Sequence, residues 1–372
     1  MSAGLLGRLL QYRRIFARYQ GFSPRAFATG ALALAHHGIV ATGWKLDGLF
    51  FSGLARFRPH PPVFVIGNPR SGTTFLHRWL VQSGVGAGFE LWQLLWPTLT
   101  PRPVVRPLLG WLERVSPARF HGTAAHPTSL TSVETDDALL FFRFLDGLFA
   151  WGYFLAWDDE DHGDALTTRL LDDAERDFAF LREAHRRNAF WHGRDRAVGK
   201  LFSACLRPEA TLAAFPDAKF LFLVRDPVEV IPSGMSLVTG VLARAYDLTR
   251  VPPEVRARTH ARLYAASIQL YRTMADAQAS GKLPPERVHV VRYDRLMSDF
   301  EVEIRDILAF VGREVDPALA TTLRETALRQ RAWASDHRYA PEDFGLTAAQ
   351  IRSDCAFVYA TWGLPTADAP ST

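Results

Sequence analysis

Arg70, Ser71, Thr73 and Thr74 fall within one short run, Ile66-Gly67-Asn68-Pro69-Arg70-Ser71-Gly72-Thr73-Thr74-Phe75, just after an apolar stretch. A guanidinium and three hydroxyls this close, set between two glycines, are the parts of an anion cradle. A glycine-rich turn from strand to helix aims several backbone N–H groups and the positive end of the helix dipole at one spot. Gly67, Gly72 and Thr74 have the spacing of the phosphate loop Gly-x4-Gly-Lys-[Ser/Thr], but Thr73 stands where the lysine belongs. That lysine grips a γ-phosphate and the hydroxyl after it holds magnesium, so this loop suits a shorter anion held without metal by Arg70 and the hydroxyls. The plain alternative is a structural turn with no ligand.

A second run, Phe220-Leu221-Phe222-Leu223-Val224-Arg225-Asp226-Pro227, leads into a helical stretch carrying Ser233. Arg225 ends an apolar strand, the place where ligands collect in open α/β sheets. An arginine there and a serine eight residues on can converge on one phosphate. Otherwise Arg225 pairs with Asp226 or another acid.

The elements that must carry these groups alternate. Val63 to Ile66 reads as a strand, and Phe75 to Gln82 as a helix. Strands follow at Ala197 to Leu201, Lys219 to Val224 and Val288 to Tyr293, and helices at Pro208 to Phe215, Val228 to Leu242, Pro253 to Ser280 and Asp299 to Val311. Such alternation predicts an α/β fold: a P-loop-like, doubly wound parallel sheet flanked by helices. Ser132 to Leu145 and Ala165 to Asn188 read as helical insertions, and Pro97 to Pro107, with four prolines, as an irregular surface segment. The acidic run Asp158 to Asp161 lacks the glycine of a calcium loop and reads as solvated.

With both motifs in view, the chain resembles the sulfotransferases that use 3′-phosphoadenosine-5′-phosphosulfate (PAPS). Arg70-Ser71-Gly72-Thr73-Thr74 is similar to the family's 5′-phosphosulfate loop, [Lys/Arg]-Ser-Gly-Thr-Thr. Arg225-Asp226-Pro227 with Ser233 is similar to its 3′-phosphate motif, and Val290-Val291-Arg292-Tyr293-Asp294-Arg295-Leu296 to its Tyr-Glu-Asp-Leu segment, which makes Tyr293 the aromatic beside the adenine. The stretch from His337 to Thr347 is similar to bacterial members of the broad carbohydrate and lipid branch. The resemblance spans roughly residues 60 to 362 and implies in-line sulfuryl transfer to a hydroxyl or, less readily, an amine, with no metal. A domain of residues 61–372 is expected, preceded by a helical extension, 1–60.

The transfer needs a general base. Glu90 follows the loop helix near the position of the catalytic glutamate in the protein-tyrosine branch, in the short match Phe89-Glu90-Leu91-Trp92. His126 with Glu134, Asp136 and Asp137 is the second set, although Thr131-Ser132-Val133-Glu134 and the acids after it also make good helix-starting chemistry. The resemblance gives Lys200 the role of reaching the transferred sulfonate; the proline and histidine that commonly follow such a lysine are absent here.

Composition narrows the partners. Of 43 basic residues only Lys45, Lys200, Lys219 and Lys282 are lysines, and 39 acids leave a net charge of +4, too little to argue for nucleic acid. Cys205 and Cys355 have no metal or disulfide spacing. Aromatic residues make 12% of the chain, clustered at Phe89–Trp96 and Phe141–Trp157, which suits either a core or a wall for an apolar, lipid-like acceptor; a saccharide is the rival. Residues 1 to about 60 carry Arg8, Arg13, Arg14, Arg18 and Arg25 among apolar positions, either a basic helix on a membrane surface or a packed extension with its arginines in water. His36, His37, Lys45 and Asp47 break the most apolar stretch, and no signal peptide is visible, so a cytoplasmic protein is expected, peripheral at the inner membrane face under the first of those readings. A P-loop kinase or NTPase, and a catalytically silent nucleotide-binding scaffold, are the alternatives.

Overall fold

The computed structural model describes residues 4–21, 24–115, 128–331 and 340–365. In chain order the longer elements are α1 (Leu5–Gln20), α2 (Pro24–Phe50), β1 (His60–Gly67), α3 (Thr73–Gln82), α4 (Leu91–Leu95), α5 (Arg102–Val105), α6 (Leu109–Val115), α7 (Asp137–Phe144), α8 (Gly147–Tyr153), α9 (Thr168–Asp172) and α10 (Ala174–Trp191). Then come β2 (Arg196–Lys200), α11 (Pro208–Ala214), β3 (Lys219–Val224), α12 (Pro227–Ala245), α13 (Pro253–Ala279), β4 (Val288–Arg292), α14 (Tyr293–Ser298), α15 (Phe300–Phe310), α16 (Pro317–Arg331), α17 (Ala348–Asp354) and α18 (Ala356–Trp362). They form two compact units, Met1–His60 with Gly86–Ala197 and Leu237–Leu263, and Pro61–Val85 with Val198–Ser236 and Tyr264–Thr372.

The sheet has the order β2-β1-β3-β4 and belongs to the second unit from Val198 of β2 onward. Strand β1 pairs in parallel with β3 from Val63↔Lys219 to Gly67↔Leu223, and β3 with β4 from Phe220↔Val288 to Val224↔Arg292. Because side chains alternate along a strand, one set faces each side. Val63, Val65, Leu221 and Leu223 join Leu76, Ile304 and Leu308 in one core. On the other set, Phe64 stacks with Phe220 at 5.4 Å and Phe222 meets Trp362 edge-on at 5.3 Å. Both faces are covered, and the strands accordingly read as unbroken apolar runs. From β1 the chain goes first to β2 on one side, later to β3 on the other, so the strand order reverses beside β1. That reversal is where a doubly wound sheet opens a ligand crevice.

The first unit is helical. On α1, Tyr12 stacks on Phe154 at 4.7 Å and donates to the Leu145 carbonyl, while Phe16 stacks on Tyr246 at 4.1 Å. Arg8 is buried and pairs with Asp146 at 2.7 Å, and Arg18 reaches Asp158 at 3.1 Å, so these two arginines of α1 are tied to the protein. On α2, the buried Asp47 carboxylate accepts the Leu99 and Thr100 N–H groups and pairs with Arg187 Nε at 2.9 Å.

Four stretches differ from expectation. Residues 97–107 are not an irregular surface segment but contain α5 and bury Leu99 and Arg102, and residues 165–188 form a 3-10 turn, α9 and most of α10 rather than one helix. The helix expected from Ser132 begins only at Asp137, because the backbone before it pairs with the segment at Phe89–Leu91: Glu134 N–H donates to the Phe89 carbonyl and Leu91 N–H to the Ser132 carbonyl. A backbone used in such a bridge is extended, not helical. The acidic run is only partly solvated. Asp158 is fully buried, held by Arg18 and by His162 Nε2 at 3.0 Å.

Candidate functional site

β1 ends at Gly67, and the chain turns through residues 68–72 before α3 starts. Glycine is required at both ends of this turn. Gly67 has φ +146°, and a Cβ there would lie 2.6 Å from the Leu223 carbonyl oxygen; Gly72 has φ +96°, and its Cβ would lie 2.5 Å from the Tyr293 ring. Arg70, with φ +74°, is left-handed although it is not glycine. Such a residue carries about 1–2 kcal/mol of strain, and strain of this kind collects at ligand clamps.

The turn is held from beneath. Ser71 Oγ donates to the Asn68 carbonyl at 2.7 Å, and Asn68 Nδ2 donates to the Ser267 carbonyl on α13 at 2.9 Å. Ser71, Thr73 and Asn68 are buried. No side chain caps α3, so its first-turn N–H groups, which have no acceptor inside the helix, are left to a ligand or solvent. The buried Lys200 amine donates to Thr74 Oγ1 at 2.9 Å, which sets a cation at the loop from the end of β2.

The two sequence motifs meet. Arg70 Nε donates to Ser233 Oγ on α12 at 2.9 Å, and Arg225 Nη1 donates to the Arg70 carbonyl at 3.3 Å. The Arg225 guanidinium lies 4.1 Å from the centre of the Tyr293 ring. Arg225 also pairs with an acid, but with Glu229 one helical turn on rather than with Asp226: its Nε and Nη2 both donate to Glu229 Oε2. Asp226 instead accepts the Val228 N–H and the Tyr359 hydroxyl. Burial first, then that hydrogen bond to Asp226, holds the Tyr359 phenol well above the ordinary tyrosine pKa. Tyr271, fully buried and likewise raised by burial, donates to the Arg225 carbonyl at 2.9 Å. Two guanidiniums, a serine hydroxyl, an aromatic face and a free helix N-terminus therefore gather at the carboxyl ends of β1 and β3. All belong to the second unit.

The base candidates lie in the first unit. Glu90 precedes α4 and is tied into a capping box: its carboxylate accepts the Gln93 N–H, Gln93 Oε1 accepts the Glu90 N–H at 3.0 Å, and Trp92 Nε1 donates to Glu90 Oε2 at 2.5 Å. His126 falls outside the described residues. Glu134, Asp136 and Asp137 are buried, and Asp136 Oδ2 faces His185 Nε2 at 2.9 Å. Burial, helped by Glu134, pushes the Tyr153 phenol up to about 12. Among the described residues, Asp158, Glu160 and His162 bring three possible metal ligands together, but Arg18 already pairs with Asp158.

Sequence reasoning did not single out Asn68, Glu229, Tyr271 or His185. Glu229 was legible, since Arg225 and Glu229 have the i,i+4 spacing of a helical ion pair. Tyr271 sits in an apolar helical stripe that reads as core, and the partner of His185 is 49 residues away.

The sequence profile of the sulfotransferase family matches residues 61–317. Curated relatives include the omega-hydroxy-beta-dihydromenaquinone-9 sulfotransferase Stf3 of Mycobacterium bovis and of Mycobacterium tuberculosis, each 24% identical over 265 residues, 68% of this chain. The match spans 63% of those relatives' own length. Among solved structures, sulfotransferase STF1 from Mycobacterium tuberculosis has a TM-score of 0.70 at 17% identity, and sulfotransferase STF9 from Mycobacterium avium 0.72 at 16%; each match covers 97% of this chain and 91% of the other. These likenesses carry the fold, and the profile, which covers more than half of the sequence and both loop motifs, carries the relationship: the chain belongs to the sulfotransferase family.

Proposed function

We propose that the protein transfers a sulfuryl group from PAPS to a hydroxyl of an apolar, lipid-like acceptor. The observation that carries the donor reading is the junction of the two motifs, with Arg70 on Ser233 and Arg225 on Arg70, at the strand reversal. A nucleotide with a phosphate at either side of its ribose suits two cationic clusters, and with Thr73 in the lysine position the loop lacks the grip on a γ-phosphate. The α3 N-terminus, Arg70 and the Thr73 and Thr74 hydroxyls would take the 5′ end, Arg225 and Ser233 the 3′-phosphate, and Tyr293 the adenine. Lys200, buried against Thr74, would hold positive charge at the loop.

In the reaction the sulfur–oxygen bond to the 5′-phosphate breaks, a bond from sulfur to the acceptor oxygen forms, and the acceptor's proton passes to a base. Arg70 and the loop N–H groups stabilise charge gathering on the leaving phosphate, the role that fixed donors serve in group transfer. Glu90 is the proposed base, with His126 or the acids at 134, 136 and 137 in reserve. The lipid-like acceptor draws on the names of the curated relatives and on the aromatic clusters; a saccharide is the competing acceptor. Residues 1–60 are proposed as an extension to a sulfotransferase domain of residues 61–372, in a cytoplasmic protein.

Thermal unfolding with 3′-phosphoadenosine 5′-phosphate tests the donor. Stabilisation in magnesium-free buffer, not competed by ATP and lost in Arg70→Ala and Arg225→Ala, is expected, since each charge-assisted contact contributes about 1.5–3 kcal/mol, roughly 10- to 100-fold in affinity. Stabilisation that requires magnesium, or that both variants retain, overturns the assignment.

A further inference from the structure

The outward face of α2 is apolar, contrary to what a helix in water presents. Leu32 is 69% exposed, Ile39 50%, Leu49 72% and Phe50 62%. On a 3.6-residue helix these four positions, with the exposed Ala35 and Thr42 between them, fall within roughly 100° of arc. Val40 and Asp47 lie outside that arc and are buried, and Gly43, at its edge, is buried as well. A second stripe follows nearby: Val104, Leu108 and Trp111 have i, i+4, i+7 spacing across α5 and α6, and Trp111 is 61% exposed. The two stripes belong to neighbouring elements, because α2 is pinned to the segment that leads into α5. His36 bonds the Leu95 carbonyl, Asp47 takes the Leu99 and Thr100 N–H groups, and a Cβ on Gly43 would meet Thr98 Oγ1 at 2.8 Å.

Charge identifies the occupant. Between Met1 and Arg58 the one acid is Asp47, which is buried on Arg187, and from Leu91 to the end of α6 at Val115 the one acid is Glu113, whose carboxylate accepts the Leu130 N–H at 2.7 Å. Arg14, Lys45, Arg56, Arg58 and Arg106 are exposed in the same two segments. A second copy of this chain would bring like charge against like, whereas a surface with an apolar interior and anionic headgroups satisfies both features. Trp111, five residues after the exposed Arg106, is the kind of amphipathic group that settles at a membrane interface. Among the described residues no single helix is long and apolar enough to cross a bilayer.

We infer that α2 and the α5–α6 segment dock the protein on an anionic lipid surface, with Leu32, Ile39, Leu49, Phe50 and Trp111 entering the headgroup boundary. This deepens the lipid-acceptor proposal by naming how the protein meets the phase that holds such an acceptor. It rests on residues of the first unit, so vesicle binding and nucleotide binding fail separately.

The test is co-sedimentation of the full chain with vesicles of phosphatidylcholine alone and of phosphatidylcholine mixed with phosphatidylglycerol. Wild type is expected to sediment with the mixed vesicles and to be released by high salt. The Leu32→Glu/Ile39→Glu/Leu49→Glu variant is expected to lose at least about tenfold in partitioning, because each apolar side chain loses its transfer into lipid and gains a charge that the surface repels. Substitutions at exposed positions leave folding intact, which circular dichroism melting verifies; Trp111→Ser, a milder change, is expected to weaken binding in the same direction. Wild type remaining in the supernatant with every vesicle, or sedimenting no better than the triple variant, overturns the inference. So does a dimer seen by light scattering that the triple variant dissolves, which would make a second copy the occupant.

Discussion

Arg70 carries the account at the scale of single residues. Its positive φ is held by neighbours above and below: Gly72 lets the Tyr293 ring approach, and Ser71 ties the turn to Asn68. Gly72→Ala therefore tests whether that packing matters. It adds a Cβ where the ring already lies and forces an L-residue into the left-handed region, a change expected to lower stability by about 1–3 kcal/mol and to weaken nucleotide binding. An unchanged melting temperature and affinity would show that the ring moves aside freely. Glu90 poses a different question, because its carboxylate already serves as a helix cap. Glutamine in its place still accepts hydrogen bonds, so Glu90→Gln is expected to fold and bind nucleotide as wild type does. Turnover is expected to fall about 10²- to 10⁴-fold, the usual contribution of a general base. Full turnover in Glu90→Gln with loss in Glu134→Gln would move the base to the acids before α7.

At the scale of elements, what was legible follows from how local the cause is. β3 was readable to the residue, because a strand buried on both faces must be apolar and Phe220–Val224 is, with the half-buried Lys219 only at its start. β1 and α3 were readable from the change of period across the glycine turn. The late start of α7 was not, since the bridge that holds Val133 extended comes from Glu90, which is 43 residues earlier. The anchoring of α1 was hidden for the same reason: Arg8 finds Asp146 only in the folded chain. Arg70 and Arg225, the arginines proposed for the nucleotide, stood out by type and spacing, and they meet in the folded chain; the tyrosine beneath Arg225 looked like any core aromatic.

Burial, opposed by the hydrogen bond to the Leu95 carbonyl, lowers the pKa of His36 on α2, and burial likewise lowers His260 and His289. A depressed pKa means the folded chain refuses a proton that the unfolded chain accepts. The stability held above the ordinary histidine value, about 6.5, is then lost as pH falls through the lower folded values. The melting temperature is expected to drop between about pH 7 and pH 5, and less steeply in His36→Asn. An equal slope in the variant would remove His36 from the account.

Over the whole molecule, the residues proposed to hold the nucleotide all come from the second unit and the proposed bases from the first. Binding and turnover should therefore separate by variant. The claim on which the rest depends is that Arg70 and Arg225 serve one ligand with a phosphate at each end. Calorimetric titration of wild type and Arg225→Ala with 3′-phosphoadenosine 5′-phosphate and with adenosine 5′-phosphate measures it directly. Wild type is expected to prefer the doubly phosphorylated nucleotide by about tenfold or more, and Arg225→Ala to bind the two nearly alike, because the 3′-phosphate has lost its partner. The same preference in both proteins would contradict the account, since it would place the 3′-phosphate away from Arg225.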